Sequence, residues 1–161
     1  MQRKRRFSII AAAVFLLLAP ASGARAGQEV TGGGLAFRVP KASKTYKLAD
    51  GRSVQQTTDA GYLTTTQPDN PLNMNTQNCS GTMIVGTDGK TGSGGGYCVS
   101  FDADGDTAWM WWRGDLNGGT WGFTEGTGKF KGVEGSGTWK TKQRWADGKF
   151  VDTWEGTWQM K

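Results

Sequence analysis

The sequence contains no histidine, two cysteines and four prolines. Without histidine, Ser-His-Asp and Cys-His hydrolytic centres, histidine-ligated zinc and imidazole acid–base chemistry are excluded. One cysteine pair is also too few for a thiolate metal cluster. No metal and no cofactor is implied. The apolar run Ile9 to Ala19 has eleven residues, short of the roughly 20 that a spanning helix needs. Beyond Gly27, no segment keeps a helical apolar period over three turns.

Charge is unevenly placed. Lys and Arg number 19 against 14 Asp and Glu, a formal +5. Arg3, Lys4, Arg5 and Arg6 precede the apolar run, Pro20 ends it, and Ala24-Arg25-Ala26 offers a small-x-small cleavage site. This layout predicts a cleaved signal peptide over 1–26 and one domain over 27–161. The protein is then exported, periplasmic or extracellular. The leader carries five positive residues and no acid, so removing it leaves 14 basic against 14 acidic groups. A neutral domain lacks the basic stripe that nucleic-acid binding requires. Nothing ties it to a membrane once the leader is gone.

What the chain has in abundance is glycine, 26 residues, and tryptophan, eight. Five Asx-Gly pairs recur: Asp50-Gly51, Asp88-Gly89, Asp104-Gly105, Asn117-Gly118 and Asp147-Gly148. Each can take the two positive φ values of a type I′ hairpin turn, and the flanks are rich in Thr, Val and aromatic residues. Gly119-Thr120-Trp121, Gly137-Thr138-Trp139 and Gly156-Thr157-Trp158 repeat at intervals of 18 and 19 residues. That spacing suggests the tripeptide returns on every second strand of an antiparallel meander. The period is too short for propeller blades, so the expected fold is a single all-β, antiparallel up-and-down barrel. Gln67 to Asn75, with Pro68 and Pro71, reads as a long loop, and Leu35 to Val39 as a candidate first strand.

Hairpin registers bring particular residues together. A two-residue turn at Asp88-Gly89 sets Cys79 opposite Cys98, which predicts a disulfide suited to an oxidising compartment. Around Asp147-Gly148 the same construction points Trp139, Gln143, Trp145, Phe150, Asp152, Trp154 and Trp158 to one inner face. Around Asn117-Gly118 it adds Trp112, Trp121 and Phe123, and through Asp104-Gly105 it adds Tyr97, Val99 and Phe101. An inward carboxylate among aromatics is costly unless satisfied, which makes Asp152 the candidate catalytic residue. Trp112, Trp121, Phe123, Trp139, Gln143, Trp145, Asp152, Trp154 and Trp158 form the candidate binding set. Trp109 and Trp111 fall on the outer face, where the N-terminal segment or a partner subunit would cover them or a glycan would stack on them. Asp102-Ala103-Asp104-Gly105-Asp106 opens like a calcium loop. It then places Thr107 and Arg113 where that loop needs Gly and Glu.

Gly126-Thr127-Gly128-Lys129-Phe130-Lys131-Gly132-Val133-Glu134-Gly135-Ser136-Gly137 has the form GxGxFxGxxGxG. It resembles the glycine-rich strand–bend–strand signature of the allene oxide cyclase and dirigent-like β-barrel superfamily, and the similarity extends loosely over Cys79 to Trp158. The resemblance implies about eight antiparallel strands, a hydrophobic cavity, frequent homo-oligomers, and metal-free enzymes that shape a reactive lipid or phenolic species. None of the superfamily's catalytic positions maps onto residues of this chain. Three functions follow as expectations. The first is a barrel binding a small apolar or aromatic molecule in its lumen. The second is a cofactor-free cyclase or isomerase using Asp152. The third is a filled barrel acting as a structural or glycan-contacting surface protein.

Overall fold

The computed structural model describes residues 27–161, so the predicted leader over 1–26 lies outside the described residues. Eight strands follow one another: β1 (Gln28–Lys47), β2 (Ser53–Thr65), β3 (Thr76–Val85), β4 (Gly92–Phe101), β5 (Thr107–Gly114), β6 (Gly118–Gly126), β7 (Glu134–Arg144) and β8 (Phe150–Met160). Each pairs antiparallel with its sequence neighbour, and β1 pairs with β8 to close the barrel. The first strand is far longer than Leu35 to Val39, and residues 66–75 form the predicted loop.

The turns differ from expectation in type. Among the described residues only Met74 has positive φ without being glycine, so none of the Asx residues enters a type I′ turn. Three of the five pairs belong to one repeated tripeptide: Ala49-Asp50-Gly51, Ala103-Asp104-Gly105 and Ala146-Asp147-Gly148. In each, the glycine sits at φ near +85° and donates its N–H to the carbonyl three residues back, from Leu48, Asp102 or Trp145. This is the three-residue hairpin, a type I turn followed by a left-handed residue that only glycine adopts cheaply. At the fourth pair Gly118 already opens β6, so Leu116 and Asn117 form the turn, held by the Asp115 carboxylate accepting from the Asn117 and Gly118 N–H groups.

A loop of three residues instead of two slips the register by one, and a one-residue slip exchanges the faces of a strand. Tyr97, Val99 and Phe101, expected inside, therefore point outward, and Tyr97 is 60% exposed. Cys98 and Ser100 point inward instead, opposite Met110 and Ala108. Between β7 and β8 a bulge at Lys142 adds a further shift, so Trp139 pairs with Trp154 and Thr141 with Asp152. The expected inward placement of Gln143 and Trp145 is corrected by the three-residue loop, which pairs Arg144 with Phe150 and Gln143 with Val151. Both are exposed, Trp145 by 49%, and the bulge returns Thr141 and Trp139 to the inner face. The Gly-Thr-Trp tripeptides also fall on consecutive strands, β6, β7 and β8, and not on alternate ones. Strands of nine to eleven residues with their loops fill the whole interval.

Candidate functional site

Strand alternation selects what the lumen receives. From β5 to β8 the inward positions supply Met110, Trp112, Trp121, Phe123, Trp139, Asp152, Trp154 and Trp158. The rings need room, and glycine provides it. A Cβ on Gly81 would run into the Trp112 ring, one on Gly156 would lie 2.5 Å from Trp121, and one on Gly114 would lie 2.8 Å from Trp139. Each of these three rings is thus seated against a bare backbone on another strand.

The two ends of the lumen differ. At one end Phe130, Leu72 and Trp158 are 0%, 1% and 1% exposed. Phe130 ends a short 3-10 turn between β6 and β7, and Leu72 hangs from the 66–75 loop. Asn70, whose side-chain oxygen accepts from the Leu72 N–H at 3.0 Å, fixes that loop. Phe123 stacks edge-on against Trp121 and Trp158 at 5.4 and 6.1 Å and completes the floor. Toward the other end a cavity of about 480 Å³ opens between the hairpin tips. Trp112, Trp121, Trp139 and Trp154 form its aromatic wall, with Asp152 among them.

Of the predicted binding set, then, Trp112, Trp121, Trp139, Asp152 and Trp154 meet around one cavity. Phe123 and Trp158 pack beneath it, and Gln143 and Trp145 stand outside. Cys79 and Cys98 face each other across β3 and β4, form the predicted disulfide and line the same cavity. Trp109 is 42% exposed on the outer face, and Trp111 lies across Gly122 with the Arg113 guanidinium 5.5 Å from its ring. The described N-terminal strand belongs to the barrel wall and leaves this pair uncovered.

Sequence reasoning missed a charged group in the lumen. Arg38 on β1 lies between two carboxylates, Asp59 on β2 and Asp152 on β8, because β1 is the strand shared by both pairings. Its Nη1 is 3.6 Å from Asp59 Oδ1 and donates to Cys79 Sγ at 2.8 Å. Asp59 Oδ1 and Asp152 Oδ1 are buried without a hydrogen-bond donor, and the indole N–H groups of Trp139 and Trp154 are buried without an acceptor. Burial pushes the Asp152 carboxyl above its ordinary value, opposed by the Thr141 hydroxyl and by Arg38 and Arg144. Burial raises Asp59 too, countered by Arg38 and reinforced by the Asp152 charge. Burial lowers Arg38, against the pull of both carboxylates. The available signal was the alternation Ala36-Arg38-Pro40 against Thr57-Asp59-Gly61, which a Gly-rich flank obscured.

The calcium-like loop is closed by an internal cation. Lys129 Nζ lies 2.7 Å from Asp102 and 3.1 Å from Asp104. Asp106 accepts from the Lys129 backbone N–H at 2.9 Å. One ammonium occupies the position that the acidic cluster would offer to a metal.

No protein-family model matches the chain, and no curated protein matches it. Among solved structures, the pterocarpan synthase dirigent protein GePTS1 is 13% identical, with 92% of this chain and 99% of that chain aligned at a TM-score of 0.54. The pterocarpan synthase dirigent protein PsPTS1 is 12% identical, with 83% and 94% aligned at a TM-score of 0.47. The closed eight-stranded barrel and the first of these alignments agree with the glycine signature: the chain has the dirigent and allene oxide cyclase-like barrel fold.

Proposed function

We propose that this barrel binds a small, largely apolar or aromatic molecule in its lumen. The observation that carries the reading is the cavity of about 480 Å³, walled by four tryptophans and holding a buried Asp152 with one oxygen unpartnered. Small-molecule sites run from roughly 300 to 1,000 Å³ and pair an apolar lining with a few polar groups. A disulfide beside the cavity suits an oxidising compartment, so we place the protein outside the cytoplasm, periplasmic or extracellular. Intrinsic tryptophan fluorescence titrated with a panel of lipids and phenolics tests the reading. Saturable changes that Trp112→Ala and Trp139→Ala abolish would support it. Silence across the panel from the folded protein would end it.

A second reading is cofactor-free cyclisation or isomerisation, favoured by the raised Asp152 carboxyl with an open Oδ1 among the tryptophans of the wall. A carboxyl held up by burial keeps its proton to higher pH than an ordinary one, which suits it to deliver a proton and take it back. GePTS1 is a pterocarpan synthase, so a barrel of this shape can house a synthase reaction. Asp152→Asn should then fold normally, bind and fail to turn over. Normal turnover by that variant would remove Asp152 from the reaction.

A further inference from the structure

The inference drawn from the charge balance of the lumen rests on the binding reading above. Among the described residues lining the cavity, Arg38 and Arg144 are cationic and Asp59, Asp115, Asp147 and Asp152 anionic. The groups at the mouth are already engaged. Asp115 caps its own turn, and Asp147 pairs with Lys149 at 2.7 Å. Arg144 reaches the Leu116 carbonyl at 3.3 Å and covers the Phe150 ring at 4.7 Å. Deeper in, Asp59 faces Arg38, and Asp152 faces Arg38 and the Thr141 hydroxyl, with Arg144 acting on it from the mouth.

One guanidinium between two carboxylates leaves a negative charge over. The 3.6 Å separation of Arg38 Nη1 from Asp59 Oδ1 is beyond hydrogen-bond range, and that nitrogen donates to Cys79 sulfur instead. Asp152 is 7% exposed, and its Oδ1, like that of Asp59, has no donor. A buried carboxylate oxygen without a donor is costly. The same cavity is walled by four indole rings, whose faces carry the negative side of a quadrupole and attract cations.

We propose that the lumen selects an organic cation: a primary or secondary ammonium on an aromatic or hydrocarbon body. The ammonium would donate to the open oxygens of Asp59 and Asp152, and the body would lie against Trp112, Trp121, Trp139 and Trp154. A neutral hydroxyl supplies one donor and leaves the surplus charge buried. A carboxylate adds a third anion to the two present. A quaternary ammonium gains the aromatic attraction but brings no N–H to the carboxylates.

Three probes on one phenyl body separate these cases: 2-phenylethylammonium, 2-phenylethanol and 3-phenylpropionate, titrated calorimetrically into the full chain at neutral pH and low salt. The ammonium should bind about tenfold tighter than the alcohol, a ratio equivalent to roughly 1.4 kcal/mol, with the carboxylate weakest. That preference should shrink to near unity in Asp152→Asn, with Asp59→Asn as a second variant should the first misfold. Alcohol binding as tight as ammonium binding would overturn the cation proposal and leave the lumen reading standing. A preference unchanged in both folded variants would also overturn it, since the cation would then sit elsewhere. No binding by any of the three would contradict both readings.

Discussion

The two halves of the barrel are built from the same residue types and put them to different uses. In the closed half, Trp158 is buried against Phe123 and Trp121 with Phe130 and Leu72 below, and the lumen is filled. In the open half, Trp112 and Trp139 are only partly buried, at 6.2 Å in an edge-to-face pair, and they border empty volume. The difference comes from what meets the rings. The 66–75 loop and the 3-10 turn plug one end. At the other end the short hairpins, Ala49-Asp50-Gly51 and Ala146-Asp147-Gly148 among them, are too tight to fold over it. An aromatic that packs on all sides contributes to stability, and one with a free face is available to a ligand.

Substitutions can break this contrast in order of expected size. Trp158→Ala in the floor should cost about 3–5 kcal/mol, as large aromatic truncations in cores do, measured by denaturant unfolding. Trp112→Ala in the wall should cost clearly less; equal losses would mean that the upper lumen is as tightly packed as the floor. Replacing Cys79 and Cys98 by Ala should lower stability by about 3 kcal/mol on the chain-entropy model for a loop of this length, and reducing conditions should reproduce that loss in the unaltered protein. Gly81→Ala should cost about 1–3 kcal/mol and displace Trp112, altering ligand response more than the floor variant does, because its Cβ meets that ring.

The smallest effect concerns pH. The Asp152 carboxyl is raised in the folded state, so between its ordinary value and the raised one the folded protein holds a proton that the unfolded chain has released. Stability therefore falls as pH climbs through that window, and the loss is complete above it. Asp152→Asn removes the loss. Its melting temperature should exceed that of the unaltered protein above the window and match it below, in thermal unfolding at several pH values. A variant less stable at neutral pH would indicate that the charge is well satisfied.

The legible and illegible parts of this molecule divide along physical lines. Glycine, turn chemistry and aromatic alternation identified a closed antiparallel barrel, and the Cys79–Cys98 register came out correctly because the four-residue loop around Asp88-Gly89 preserves the pairing of a two-residue turn. The β5–β6 pairing shifted by two residues, which conserves faces, so Trp112, Trp121 and Phe123 were placed inside correctly. The β4–β5 pairing shifted by one, which reverses them, and Tyr97 and Cys98 exchanged sides. The three-residue loop at Asp147-Gly148 put Gln143 and Trp145 outside, and a Lys142 bulge, which no local residue pattern announces, kept Trp139 inside. Arg38 and Asp59 escaped notice because a β1–β2–β8 neighbourhood depends on barrel closure, and closure is a long-range property.

On the lumen reading, a ligand enters the open half and leaves the floor and outer face untouched. Indole N–H resonances report each of the eight tryptophans separately. Titration with a binding aromatic probe should shift Trp112, Trp121, Trp139 and Trp154 and leave Trp158, Trp145, Trp109 and Trp111 near their starting positions. Shifts confined to Trp109 and Trp111 would place the site on the outer face and contradict the claim.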